Sequence, residues 1–218
     1  DLVRSRGLGD VYKRQRSPGA DWRKATYMMG SSDMRPSRQR RAFWLNPTVM
    51  FLATAVAVLG VRHRQELRLD GLALLTIGVA LALWPVQEWV LHRYVLHSSV
   101  GFIRRYHDAH HADPDDAQKA FVPAVVVILG VAIGAGLAEI SSRFVIPSLV
   151  YFALAIGYEW LHGEAHRPGR RRGRYLRWVK RAHMRHHFVS ERRCFGLSNP
   201  WVDAVSYTHL RAHETVLD

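Results

Sequence analysis

The chain has 218 residues, of which 48% are hydrophobic, and it carries a formal net charge of +13 with a single cysteine. One cysteine excludes an internal disulfide framework and any site built on several cysteine ligands, and it suits a reducing compartment. Because the basic residues flank long apolar runs, the charge favours anionic lipid headgroups in a bilayer as the partner, and no nucleic-acid binding is expected.

Both ends of the chain are predicted to be foreign sequence. Codons for VSYTHLRAHET, residues 205–215, can be written so that their reverse complement, shifted by one base, encodes SRGLGDVYK, residues 5–13. The ends are therefore translations of one DNA segment on opposite strands, and that segment resembles a transposon-end adapter used in sequencing libraries. Residues 1–15 and 205–218 are accordingly set aside as adapter-derived, together with His209 and His213.

Between these ends, residues 16–42 form a basic N-terminal segment, and residues 43–204 are predicted to be a membrane-embedded domain. Four apolar runs in that domain approach the roughly 20 residues that a transmembrane helix needs. They occupy about residues 43–61, 71–91, 121–140 and 144–161. The fourth is short and contains Pro147, which allows a tilted or partly re-entrant course. The predicted fold is all-α, with about four transmembrane helices and a histidine-rich helical cap at the cytoplasmic face.

The distribution of lysine and arginine predicts the orientation of the spans. Basic clusters precede the first span, as RPSRQRR at residues 35–41, and follow the fourth, as HRPGRRRGRYLRWVKR at residues 166–181. The return loops between the paired spans are nearly neutral. Both termini are therefore expected in the cytoplasm, and the chain is expected to be a multi-pass protein of a bacterial inner membrane.

Ten histidines fall into four groups near the predicted cytoplasmic ends of the spans. They are His92 and His97 in HRYVLH; His107, His110 and His111 in HDAHH; His162 and His166 in HGEAH; and His183, His186 and His187 in HMRHH. Residues three or four apart share a helix face, so the members of the last three groups can converge. His92 and His97 are five apart, and they converge only if the helix ends or bulges between them.

The number and type of these side chains predict two metal ions. Imidazole suits iron, copper, zinc and nickel, but two closed tetrahedral zinc sites need only about eight ligands. Ten histidines give about five to each of two ions, which in an octahedral frame leaves one open position per metal for oxygen, as an iron pair needs. His63 stands alone in the first return loop and is not expected to bind metal.

Carboxylates are the other ligands that an iron pair uses, and here they are sparse. Glu159 and His162 form one Glu-x-x-His pair of the kind found in soluble di-iron proteins, and the sequence has no second pair. Glu88 and Glu164 lie close to histidines in sequence, and we expect each to orient an imidazole or balance charge rather than bind metal.

These motifs resemble the fatty acid hydroxylase and sterol desaturase superfamily, whose histidine boxes occur in the same order. The similarity covers about residues 85–204, and its strongest local matches are HRYVLH, HDAHHADPDDAQKAFVP, GYEWLHGEAH and RAHMRHHFVSERRCFGLSNPWVD. The last two look closest to the fatty acid 2-hydroxylase branch. The resemblance implies a membrane-embedded di-iron monooxygenase in which the ten histidines hold two iron ions and O2 is the cosubstrate.

The chain also departs from the family pattern in two places. No cytochrome b5 domain precedes the spans, so the resemblance implies a separate electron donor, a ferredoxin or a cytochrome b5-like protein, with its reductase. The similarity stops at Ala204, and a short natural C-terminal segment is expected to be missing.

The predicted activity is hydroxylation of a C–H bond in a fatty acid or acyl lipid with O2 and two electrons. One alternative is a sterol or carotenoid hydroxylase or desaturase of the same superfamily. Another is a membrane metal transporter, which is disfavoured because the centres of the spans are apolar. Replacement of His110 or His186 by alanine is expected to abolish iron binding and turnover.

Overall fold

The computed structural model describes residues 46–209, except for 66, 68, 98–100, 115, 117–118 and 168–172. Within these residues the protein is helical and contains no strand, which confirms the predicted all-α class. The basic segment 16–42, the predicted adapter residues 1–15 and residues 210–218 lie outside the described part of the chain.

The order of the helices follows the apolar runs. In chain order they are α1 (Pro47–Arg62), α2 (Gly71–Val90), a π-helical segment (Leu91–Leu96), α3 (Gly101–Ala112), α4 (Ala124–Ile140), a 3-10 turn (Ser142–Phe144), α5 (Val145–His166), α6 (Arg174–Phe188) and α7 (Trp201–Val205). Asn46 and Asp70 cap the first two helices, because each side chain accepts a hydrogen bond of 2.8 Å from a backbone N–H of the first turn.

The fourth apolar run forms a longer helix than the predicted residues 144–161. Helix α5 is unbroken from Val145 to His166. Pro147 lies in its first turn, where the missing N–H of a proline costs no intrahelical hydrogen bond. The segment is therefore one continuous helix, and its tilted or partly re-entrant course in a membrane stays a prediction.

Two helices are long and apolar enough to cross a membrane. They are the continuous run Gly71–Leu96, with 26 residues, and Ser142–His166, with 25 residues. Only 22% and 28% of their most apolar windows is buried inside the protein. Helices α1 and α4 are also apolar but have 16 and 17 residues. Such outward-facing apolar surface is typical of helices in contact with lipid.

Helix α5 lies at the centre of the bundle, in contact with α1, α2 and α4. Its closest approach to α4 is at Gly134, where an added Cβ would lie 2.8 Å from the Phe152 ring. The Ser148 hydroxyl donates a 2.9 Å hydrogen bond to the Gly134 carbonyl at the same place. A larger residue at this position would collide with the Phe152 ring and crowd the Ser148 hydroxyl, so glycine fits the packing of these two side chains against α4.

The two ends of the bundle differ in chemistry. At one end, the Arg62 guanidinium donates two hydrogen bonds of 2.5 and 2.9 Å to the Glu139 carboxylate, which joins the ends of α1 and α4. His63 lies at this end, 3.5 Å from the same carboxylate. Because α2 and α5 run away from this end, their C-terminal histidines lie at the opposite one.

Candidate metal centre

The ten histidines form two adjoining groups of five. Cluster A contains His92, His97, His107, His111 and His186, and cluster B contains His110, His162, His166, His183 and His187. Within each cluster, one ring nitrogen of every residue lies within 4.8 Å of all the others. The structure thus brings together every histidine predicted as a ligand, and His63 belongs to neither cluster.

Helix α3 supplies histidines to both clusters. Successive residues of an α-helix are about 100° apart, so residues four apart nearly coincide in direction. His107 and His111 are four apart and face cluster A, whereas His110, between them in sequence, faces cluster B. The His-x-x-His-His pattern therefore serves two sites.

Helix α6 repeats this arrangement with the opposite assignment. His183 and His187 are four apart and face cluster B, whereas His186 faces cluster A. On α5, His162 and His166 are also four apart, and both face cluster B. Cluster B thus consists of two such pairs and a single histidine from α3.

The matching pair in cluster A, His92 and His97, depends on the π-helical segment. The His97 N–H donates a 3.2 Å hydrogen bond to the His92 carbonyl, five residues earlier, and this widened turn places the two residues on one side. Their ring centroids are 5.2 Å apart. The bulge predicted between these residues is confirmed.

The spacing of the nitrogens fits a metal ion at the centre of each cluster. Neighbouring Nε2 atoms are 2.7 to 3.1 Å apart in both clusters. A metal–imidazole bond is about 2.0–2.1 Å, so ligand nitrogens at right angles are about 3.0 Å apart and opposite ones about 4.2 Å. The separations between neighbouring nitrogens match ligands at right angles around one ion.

The imidazoles are also in the protonation state that metals bind. Eight of the ten histidines are buried, and His97 and His111 are half-buried. Burial lowers the pKa of His97 to about 4, and burial together with His97 and His162 lowers the pKa of His111 to about 3. Burial also lowers the pKa of His107 and His110. These rings are neutral at pH 7, so each keeps a lone pair for a metal.

Two rings of cluster A are oriented by carbonyls that follow α6. His92 Nδ1 lies 2.7 Å from the Phe195 carbonyl oxygen, and His186 Nδ1 lies 2.8 Å from that of Arg193. A carbonyl only accepts, so each Nδ1 carries the proton and each Nε2 presents its lone pair to the cluster. This is the usual outer support of a metal-binding histidine.

Cluster B has a different environment. The carbonyls of Ala120 and Pro114, in the segment between α3 and α4, face His162 and His166. Neither carbonyl makes a well-aligned hydrogen bond with its ring. Among the described residues, the Nδ1 atoms of His162 and His166 have no hydrogen-bond partner. The described residues therefore orient these two rings less tightly than they orient His92 and His186.

The nearby carboxylates lie outside both clusters. Glu88 was expected to orient an imidazole or balance charge. It accepts hydrogen bonds from the backbone N–H groups of Leu197 and Ser198, so it does not orient an imidazole directly, and a role in charge balance stays a prediction. Glu164 pairs with Arg167 at 3.0 Å. Glu159 accepts a 3.1 Å hydrogen bond from the backbone N–H of Val122.

An apolar cavity of about 160 Å³ lies between α1, α2, α4 and α5 and reaches His92 of cluster A. Trp84, Val126 and Phe152 are among the residues that line it. Sequence reasoning did not identify this cavity, because its walls come from four helices whose relative rotation is not encoded in their composition.

Comparison with known proteins identifies the family. The family model for fatty acid hydroxylase matches residues 77–208. This chain belongs to the fatty acid hydroxylase family. The match begins within α2 and contains all ten clustered histidines. The predicted superfamily is therefore confirmed.

Individual relatives of this family member agree with the predicted branch. The chain is 25% identical to fatty acid 2-hydroxylases of Macaca fascicularis and Rattus norvegicus over 145 residues, which is 60% of this chain and 38% of each relative. It is equally identical to the Homo sapiens protein of that name over 141 residues, 58% of this chain and 37% of that one. The chain thus spans less than two-fifths of the length of these relatives.

A solved structure shares the fold. The structure of full-length Scs7p, in which only the hydroxylase domain is visible, matches with a TM-score of 0.60 and 22% identity. The match covers 78% of this chain and 67% of that one.

Proposed function

We propose that this fatty acid hydroxylase family member hydroxylates a C–H bond in the acyl chain of a lipid, using O2 and two electrons. The observation that carries the proposal is the pair of five-histidine clusters beside an apolar cavity. An iron pair bound there supplies the oxygen activation that this reaction needs. The chain contributes the ligands, a cavity that excludes water and the position of the substrate.

We assign one iron ion to cluster A and one to cluster B. Five neutral imidazoles leave one position of an octahedral frame open at each ion. The absence of any carboxylate from the two groups, among the described residues, distinguishes the site from the Glu-rich centres of soluble di-iron proteins.

The cavity supports an acyl chain as the substrate. Walls with mostly apolar surface bind an alkyl chain by burial. His92 belongs both to the cavity wall and to cluster A. A carbon at this end of the cavity would therefore lie next to cluster A.

For the membrane, we propose four crossings with both histidine clusters at the cytoplasmic face. At 1.5 Å per residue, α1 and α4 are about 24 and 26 Å long, close to the roughly 30 Å hydrocarbon core, whereas the two long helices reach about 38 Å. The extra length carries the histidines of the long helices beyond the lipid. Arg174, Arg177 and Arg181 lie on α6, close to the clusters, which supports the cytoplasmic side by the positive-inside rule.

The same basic surface supports the proposed partners. Arg174, Arg177 and Arg181 line a concave surface with Tyr175 and Trp178. Its charge suits anionic lipid headgroups, and it also suits an acidic electron donor of the ferredoxin or cytochrome b5-like class.

The proposal is tested by expressing the chain in a bacterial host and comparing lipid extracts by mass spectrometry with those of a host that makes the His186→Ala variant. We expect acyl lipids that have gained one oxygen only with the unmodified chain, and two iron ions per purified chain. His63→Ala is the matched control, because His63 is equally buried but belongs to neither cluster.

Three results would contradict this proposal. They are lipids that lose two hydrogens without gaining oxygen, a purified chain that holds no iron, and full turnover by His186→Ala. Metal flux into vesicles without oxygen consumption would favour the transporter.

A further inference from the structure

The segment that follows α6 lies across the end of α2, and we name residues 193–198 the strap. Its backbone is tightly constrained. Cys194 adopts a left-handed conformation with φ of 58°, which non-glycine residues rarely do. At Gly196, an added Cβ would lie 2.5 Å from the Asn199 carbonyl oxygen and 2.9 Å from an Asp203 carboxylate oxygen. The strap backbone is therefore strained at Cys194 and leaves no room for a side chain at Gly196.

Two buried carboxylates hold the strap from opposite sides. Glu88, on α2, accepts hydrogen bonds from the backbone N–H groups of Leu197 and Ser198 and from the Ser198 hydroxyl. Asp203, on α7, accepts bonds of 3.0 and 2.7 Å from the N–H groups of Phe195 and Gly196. Both carboxylates are almost completely buried. Buried charges of this kind are retained only when hydrogen bonds satisfy them.

Asp203 has two further donors. The Trp89 indole N–H lies 3.1 Å and the Thr208 hydroxyl 2.6 Å from its Oδ1 atom. Thr208 falls in the segment predicted to be adapter-derived, so variants are best compared within the full 218-residue chain. The Trp89 contact fixes Asp203 to α2. The strap is thereby attached to the helix that continues directly into the π-helical segment with His92.

The strap contacts cluster A through two carbonyls and one aromatic ring. Its Phe195 and Arg193 carbonyls are the acceptors for His92 and His186, both of cluster A. The Phe195 ring also packs against His92, His97 and His186, at centroid distances of 5.5 to 5.8 Å. These two hydrogen bonds and three ring contacts join the strap to cluster A.

We propose that the strap controls metal binding in cluster A and not in cluster B, and that Glu88 and Asp203 are its positioning residues. The inference rests on the assignment of one metal ion to each cluster. The carboxylates act through the strap backbone, whose two carbonyls set the direction of the His92 and His186 lone pairs. Loss of such outer support weakens metal binding about 10- to 100-fold.

The hydrogen-bond pattern makes the two carboxylates respond differently to amide substitution. Both Asp203 oxygens accept backbone N–H bonds, so Asp203→Asn places an amide NH2 against a backbone N–H. At Glu88, Oε1 accepts both backbone bonds while Oε2 faces the Ser198 hydroxyl, which can accept as well as donate. Glu88→Gln therefore keeps every contact, whereas Glu88→Ala removes all three.

The experiment is a titration of the metal-free full chain with Fe²⁺ in detergent, with bound iron counted per chain. For Asp203→Asn and Glu88→Ala we expect one iron to bind as in the unmodified chain and the other about 10- to 100-fold more weakly. Glu88→Gln should bind both irons as the unmodified chain does. Gly196→Ala should behave like Asp203→Asn, and Gly157→Ala, where an added Cβ meets nothing within 4 Å, is its control.

A double variant tests which iron is weakened. In a chain that already carries His186→Ala, adding Asp203→Asn should leave the remaining iron unchanged, because both changes act on cluster A. The inference is overturned if Asp203→Asn binds both irons normally, if it weakens both equally, or if it weakens the iron that remains in His186→Ala. Thermal melting and gel filtration accompany each titration and show whether a variant is folded. Ser198→Ala removes only a hydroxyl, so a small weakening of one iron is expected for this mild variant.

Failure of the two-metal assignment would look different. In that case the unmodified chain itself would bind fewer than two irons. An unmodified chain with two irons and insensitive variants would leave the proposed function intact and remove only the role of the strap.

Discussion

Clusters A and B each contain five histidines, yet the protein surrounds the two clusters differently. Cluster A uses a π-helical turn, adjoins the apolar cavity through His92 and receives two aligned carbonyls from the strap. Cluster B is built from two pairs four residues apart on regular helices, and the carbonyls facing it are poorly aligned. A shared ligand set therefore does not imply shared access or shared support.

The largest expected effect comes from removing one ligand of each cluster in turn. His186→Ala and His110→Ala each delete a buried ring, one from cluster A and one from cluster B. We expect each variant to lose the iron of its own cluster and to reduce turnover at least about 100-fold, because the reaction needs both ions. Iron content and oxygenated lipid are the measurements. Equal activity in either variant and the unmodified chain would remove that cluster from the reaction.

The second-largest effect is expected from blocking the apolar cavity, which reaches His92 of cluster A. Gly130 on α4 lines the cavity, and an added Cβ there meets nothing within 4 Å, so Gly130→Phe should fill the space with an aromatic ring. We expect turnover to fall at least about 10-fold while both irons remain bound, since a substrate-binding group is lost and no metal ligand. Gly136→Phe is the matched control, because it lies on the same helix outside the cavity and is equally free of contacts.

A smaller effect is expected from the α4–α5 contact, which supports α5 and hence His162 and His166 of cluster B. Gly134→Ala introduces a Cβ 2.8 Å from the Phe152 ring. Overpacking of this kind costs about 1–3 kcal/mol of stability. Thermal melting of the purified protein measures it, with Gly136→Ala as the control. An unchanged melting temperature would mean that the two helices can separate at no cost.

The smallest expected effect concerns an outer contact of the strap. The Tyr175 hydroxyl donates a 3.0 Å hydrogen bond to the Ser198 carbonyl, and Tyr175 is half exposed. Tyr175→Phe should lower stability by less than about 1 kcal/mol, because water replaces an exposed partner. Iron binding to cluster A should weaken less than about 3-fold, well short of the loss expected when outer metal support is removed. A loss as large as that of Asp203→Asn would show that the strap depends on its exposed side.

The sequence predicted that these ten histidines would lie together, because helical spacing is local. Residues four apart share a face whatever the rest of the chain does, and the five-residue interval between His92 and His97 required the bulge that is present. The expectation that His107, His110 and His111 would converge was wrong, because His110 faces cluster B while the other two face cluster A. What the spacing did not show was which pairs from different helices would meet.

The carboxylates show where local reasoning stopped. Glu88 is one turn before His92, so an imidazole contact was expected, but its partners are 109 and 110 residues away in sequence. Asp203 was not singled out at all, although the run GLSNPWVD begins with Gly196, which has no room for a side chain, and ends with Asp203. The roles of Glu88 and Asp203 depend on how the strap packs against α2, which helical periodicity does not predict. The prediction that residues from 205 onward are adapter-derived stays a prediction.

The interleaving of α3 and α6 between the two clusters has a mechanical consequence. An ion in cluster A would tie the segments at His92, His107 and His186 together, and an ion in cluster B those at His110, His162 and His183. The longest loop closed by an ion in cluster A would run over 79 residues from His107 to His186, and that closed by an ion in cluster B over 52 residues from His110 to His162, as cross-links do. Removal of both ions would release α3 and α6 together rather than one at a time.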